Sequence, residues 1–104
     1  MTTMDWNGRP TFLAFREFHE ANPHVYDELR RLALDLKSRG RNQYGIMSLM
    51  NVVRWHRAMA TTRDADDFKV NNNFAPYYAR LLIRQEKKLA GFFVLRHSEA
   101  DEVQ

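Results

Sequence analysis

The apolar positions of the chain fall into four stretches with helical spacing, separated by short polar or glycine-containing breaks. In the first, Phe12, Phe15 and Phe18 recur every three residues beside Leu13, which lines aromatic rings along one helix face. Thr11 supplies a capping hydroxyl at its start, and this helix is expected to stop near Ala21. Asn22-Pro23 opens a second helix. Asparagine is a favoured cap, and proline fits the first turn because its missing N–H has no intrahelical partner there. Val25, Leu29, Leu32 and Leu36 form the buried stripe, widened by Tyr26 and Ala33, and Gly40 offers the left-handed residue that ends it.

Arg41 to Gly45 leads into a third helix, from Ile46 to Met59 or Ala60. Its stripe of Ile46, Leu49, Met50 and Val53 is joined by Met47, Val52, Trp55 and Met59, so it is apolar nearly all round. Such a helix is expected at the centre of the core, with Trp55 buried. Thr61 to Asp67 reads as an exposed loop and Phe68-Lys69-Val70 as a short strand. Any of Asn71, Asn72 and Asn73 can cap a fourth helix starting near Phe74, with Pro76 tolerated in its first turn. Phe74, Tyr77 or Tyr78, Leu81 and Leu82 form its buried side, with Arg80, Arg84 and Lys87 largely on another. The helix runs to Lys88 and Leu89 before Gly91 breaks it. Phe92-Phe93-Val94-Leu95 is strand-like and pairs with Phe68 to Val70 as a two-stranded ribbon. The expected fold is mainly α: a compact four-helix domain over residues 11–97 with a small β-ribbon, winged-helix-like. A flexible lead-in, 1–10, precedes it, and an acidic frayed tail, 98–104, follows.

Composition removes several classes of function. The 104 residues include no cysteine, so neither a disulfide framework nor a thiolate metal site is available. No apolar run approaches the roughly 20 residues that cross a bilayer. Asp5 and Gly8 stand where a secretion signal needs an apolar stretch, so a cytoplasmic protein is expected. His19, His24, His56 and His97 match no zinc spacing. No Gly-x-Ser-x-Gly elbow and no phosphate-binding glycine loop occurs among the four glycines. The carboxylate groupings, Glu17 with Glu20 and Asp64 with Asp66 and Asp67, read as solvated or structural. Neither an enzyme nor a metal or other cofactor is expected.

Charge changes the picture more. From Arg39 to Arg96 eleven Lys and Arg stand against four acids, whereas the remainder has five against nine, which together make the net +3. A polarised distribution of this kind attracts a polyanion to one face. The most suggestive stretch is Lys69 to Arg84, because asparagines bond base edges, arginines bind phosphate or guanine, and tyrosines stack. A DNA-binding face is therefore expected from Arg41, Lys69, Asn71, Asn72, Asn73, Tyr77, Arg80 and Arg84. Each also has a structural reading: one asparagine as a cap, another in a turn, Tyr78 packed, and Arg80 with Arg84 as a solvated row. Arg39 to Tyr44 lies where a helix-turn-helix would place its turn, but Ile46 to Val53 is too apolar to read a groove. The alternative is a protein-binding inhibitor or adaptor aimed at a host nuclease or defence protein, without DNA binding of its own. An assembly factor is a third reading, although no sustained heptad supports oligomerisation.

One resemblance bears on these alternatives. The runs Phe18-His19-Glu20-Ala21-Asn22-Pro23-His24-Val25-Tyr26, Tyr44-Gly45-Ile46, Arg54-Trp55-His56, Asp67 to Asn73 and Tyr78-Ala79-Arg80-Leu81 resemble small uncharacterised helical proteins of tailed phages and prophages. The resemblance spans roughly residues 12 to 96. It implies a phage or mobile-element origin and a host-cytoplasmic setting, and it carries no catalytic residue. Small phage proteins are often DNA-binding regulators or binders that block a host protein.

Overall fold

The computed structural model describes residues 10–60 and 71–94. They form four α-helices: α1 (Thr11–Ala21), α2 (Pro23–Ser38), α3 (Ile46–Ala60) and α4 (Ala75–Gln85). Three-residue 3-10 turns, Asn72–Phe74 and Lys87–Leu89, flank α4. The lead-in before Pro10, the Thr61–Asp67 loop, the expected strand Phe68 to Val70 and the acidic tail lie outside the described residues.

Local chemistry sets the helix ends. Pro10, not Thr11, precedes α1, and its carbonyl accepts from Leu13 and Ala14 N–H at 3.1 and 3.2 Å. Thr11 is the first helical residue and is buried. Asn22 closes α1 instead of capping α2 with its side chain: its N–H and its Nδ2 both donate to Phe18 O, at 2.8 and 3.1 Å. Gly40 ends α2 with φ 94°, where a Cβ would be strained. Gly40 N–H donates to Lys37 O and Arg41 N–H to Leu36 O, both at 3.1 Å. This pair of bonds is a Schellman closure, satisfying carbonyls that the helix leaves open. At the next start, Asn71 Oδ1 accepts from Asn73 N–H at 2.8 Å. Helix α4 ends at Gln85 rather than running on to Leu89, because Glu86 is extended (φ −121°, ψ 103°). Gly91, at φ 75°, then turns the chain.

Helices α2 and α3 form an antiparallel hairpin, tied between the first half of α2 and the second half of α3 by Glu28 Oε2 and His56 Nδ1 at 3.2 Å. The enclosed helix is α4, not α3. Ala75, Tyr77, Tyr78, Ala79, Arg80, Leu81 and Leu82 are all buried, with α3 packed on one side. From α1, Phe15 stacks on Tyr77 (centroids 5.3 Å apart, 23° between planes) and meets Tyr78 edge-on at 4.8 Å. Phe18 leans on Phe74 at 5.4 Å. Aromatic contacts of this kind add to the area that the rings bury.

Phe92 and Phe93 do not form half of a β-ribbon: they lie in a turn, both buried, with their rings edge-to-face at 5.1 Å. Alternate residues of a half-buried strand face solvent, whereas this turn drives two consecutive rings into the core. Phe92 N–H donates to Leu89 O, and Phe92 O accepts from Tyr44 N–H, each at 3.0 Å, which ties the segment to the α2–α3 connection. No strand occurs among the described residues, so the fold there is helical without a wing. Helix α3 is not the centre of the core: it buries only Leu49, Met50 and Val53 and leaves Trp55 60% exposed.

Candidate binding surfaces

The structure distributes the expected nucleic-acid residues over different roles. Asn71 is half-buried and spends its carbonyl on the turn before α4. Asn72 is exposed, and its Oδ1 accepts from Arg54 Nη2, while Arg54 Nη1 donates to Asn51 Oδ1 at 2.8 Å. Asn73 is exposed. Tyr77 is 3% exposed and belongs to the core. Arg80 is 8% exposed, its Nη1 donating to Pro76 O at 3.1 Å, so its guanidinium is folded back on its own helix. Arg41 and Arg84 are exposed and form no ion pair among the described residues. Lys69 lies outside the described residues. Elsewhere cations are engaged: Arg30 Nε with Glu86 Oε1 at 2.5 Å and Arg39 Nε with Asp35 Oδ1 at 3.2 Å. Of the seven that are described, Tyr77 and Arg84 both line one cavity.

A surface that the apolar pattern concealed is the outer face of α3. At 100° per residue, Met47, Ser48, Asn51, Trp55, Ala58 and Met59 fall within an arc of roughly 120°. All six are exposed, Trp55 by 60%, Met59 by 70% and Met47 by 37%. Tyr44, 41% exposed, stands just before the helix. Trp55 rests its ring against His56 at 5.5 Å. Ser48 and Asn51 within this arc are the sequence signal for a solvent-facing side, and the surrounding methionines and valine masked it. The described residues between Lys37 and Glu86 contain no acid, and Arg54 stands at one edge of the arc.

The second concavity is a cavity of about 380 Å³ between α1 and α4. Phe12, Phe15, Tyr77 and Leu81 supply its apolar lining. Arg16 and Glu20 come from the exposed side of α1, and Arg84 from α4. His19, also in the lining, stacks parallel to Phe15 and meets Tyr26 and Tyr78 edge-on, at 5.8, 5.5 and 6.1 Å. His19 Nδ1, Tyr26 Oη and Tyr78 Oη are buried without a hydrogen-bond partner among the described residues. Burial pushes the Tyr78 hydroxyl well above the usual tyrosine range. It raises Tyr26 too, helped by the negative charge of Glu86.

Among the described residues no group of three or more His, Asp or Glu is placed to hold a metal ion. No described helix is long and apolar enough to cross a membrane. No known protein family, curated protein or solved structure matches the chain.

Proposed function

We propose that this is a protein-binding adaptor or inhibitor, acting through the outer face of α3, with no catalytic role of its own. One observation carries the reading: Trp55 and Met59, one helical turn apart, are more than half exposed in a domain that buries Phe15, Phe74, Tyr77, Tyr78, Phe92 and Phe93. Tryptophan is the residue most enriched at binding hot spots, and contiguous exposed apolar surface marks an interaction site. Helix α3 carries Arg54 and Arg57 and no acid, which favours a partner whose apolar groove is rimmed by carboxylates. The resemblance to small phage proteins points towards a host protein as that partner.

A second reading, nucleic-acid binding, is favoured by the excess of basic over acidic residues from Arg39 to Arg96, in which Arg41, Arg84, Asn72 and Asn73 are exposed. It has lost Tyr77 and Arg80 to the interior, which weakens it. One experiment separates the two. A photo-crosslinking residue is placed at Trp55 or, as control, at the exposed Arg31 on α2, and the protein is irradiated in its native cells. A discrete protein adduct from position 55 and none from 31 is expected, together with no DNA or RNA shift at physiological salt. Equal adducts from both positions, or a salt-steep nucleic-acid shift lost in the Arg41→Ala, Arg84→Ala variant, contradicts the proposal.

A further inference from the structure

The cavity between α1 and α4 plays no part in that reading, and it combines three features that point to a ligand. Its lining is apolar and aromatic, with Phe15 stacked on Tyr77 across the two helices. Two guanidiniums, Arg16 from α1 and Arg84 from α4, stand at it, and neither forms an ion pair or hydrogen bond among the described residues. Within the lining, His19 Nδ1 is buried and has no hydrogen-bond partner among the described residues, which folded proteins rarely tolerate without a water, an ion or a functional reason. Arginine's planar fork suits a carboxylate, and it stacks on aromatic faces. A volume of about 380 Å³ lies within the range of small-molecule sites.

We infer that this cavity binds a small aromatic monocarboxylate, its ring on the Phe15–Tyr77 lining and its carboxylate between Arg16 and Arg84. The choice of one negative charge follows from Glu20, which shares the lining. A second anionic group would face this carboxylate, whereas a single one is held by the two arginines. A purely apolar ligand would leave both guanidiniums without a counter-charge, and a purely anionic one would leave the rings uncovered. The site is concave and mostly apolar with a few converging polar groups, the usual anatomy of such pockets.

The test uses four probes of matched size or charge with the full chain: 2-naphthoate, neutral 2-naphthylmethanol, dianionic 2-naphthyl phosphate, and acetate. Binding is followed by two-dimensional NMR and calorimetry. 2-Naphthoate is expected to saturate a single site, shifting resonances of Phe15, His19 and Leu81. The alcohol and the phosphate should bind at least about tenfold more weakly, and acetate not measurably. Arg16→Gln and Arg84→Gln should each lower naphthoate affinity about tenfold, whereas Trp55→Ala should leave it unchanged. Both arginines are exposed, so the variants fold, and wild-type circular dichroism spectra will document that. Equal affinity for the alcohol and the carboxylate, full affinity in both arginine variants, or no saturable shift overturns the inference. Because Trp55→Ala is the control here, failure of this site leaves the α3 surface untouched, and the reverse holds as well.

Discussion

Tyr78 shows how one side chain can carry a stability signature of its own. It is fully buried at the centre of α4, and its hydroxyl has no partner among the described residues. Removing a buried unsatisfied hydroxyl relieves its desolvation cost while the ring keeps its packing against Phe15. Tyr78→Phe is therefore expected to raise stability by about 1 kcal/mol at neutral pH, measured by urea denaturation. The alkaline limb has a definite sign. Burial raises the folded-state pKa above the ordinary value of 10.0, so the unfolded chain releases the proton first. Stability from this group is complete below about pH 10 and is lost as pH rises further. The variant should lose stability less steeply above pH 10 than the wild type. A loss of 1 kcal/mol or more at neutral pH would mean that the hydroxyl has a partner after all.

At the scale of the element, helix ends were legible from short-range chemistry, and burial was not. The span of α2 follows from Asn22-Pro23 and Gly40, and that of α3 from the breaks at Gly45 and after Ala60, because caps and left-handed residues act within a few positions. The α4 terminus is not legible in the sequence, because Glu86, unlike glycine or proline, carries no local mark of an extended backbone. Which face each helix buries is decided by neighbours. α3 is apolar on nearly every side, so periodicity could not show that α2 and α4 cover Leu49, Met50 and Val53 while Trp55 stays outside. Arg80 has the opposite history: four-residue spacing from Arg84 suggested a surface row, and its guanidinium reached back to Pro76 instead. Phe92 and Phe93 have strand-like composition, yet two consecutive buried rings need a turn. The α2 closure can be tested directly. Gly40→Ala places a Cβ at φ 94° and should cost about 1 kcal/mol. Gly45→Ala, whose Cβ would meet Ser48 Oγ at an ordinary 3.6 Å, should change stability by less than about 0.5 kcal/mol. Equal effects at both glycines would remove the left-handed closure as the reason for the α2 stop.

For the molecule as a whole, the described cations take different roles. Arg80 turns inward, Arg54 engages Asn51 and Asn72, Arg39 and Arg30 meet carboxylates, and Arg84 stands over the α1–α4 cavity. What the fold leaves open is apolar: the outer side of α3, uncovered because α4 takes the central position that α3 was expected to hold. The exposure of one indole therefore bears most directly on the proposed function. In a Trp6→Phe variant, Trp55 is the sole tryptophan, and its fluorescence reports its surroundings alone. The folded protein is expected to emit at the long wavelength of a hydrated indole and to be quenched by acrylamide almost as readily as the urea-unfolded chain. A blue-shifted emission protected from acrylamide in the native state would contradict the open α3 face and the partner surface built on it.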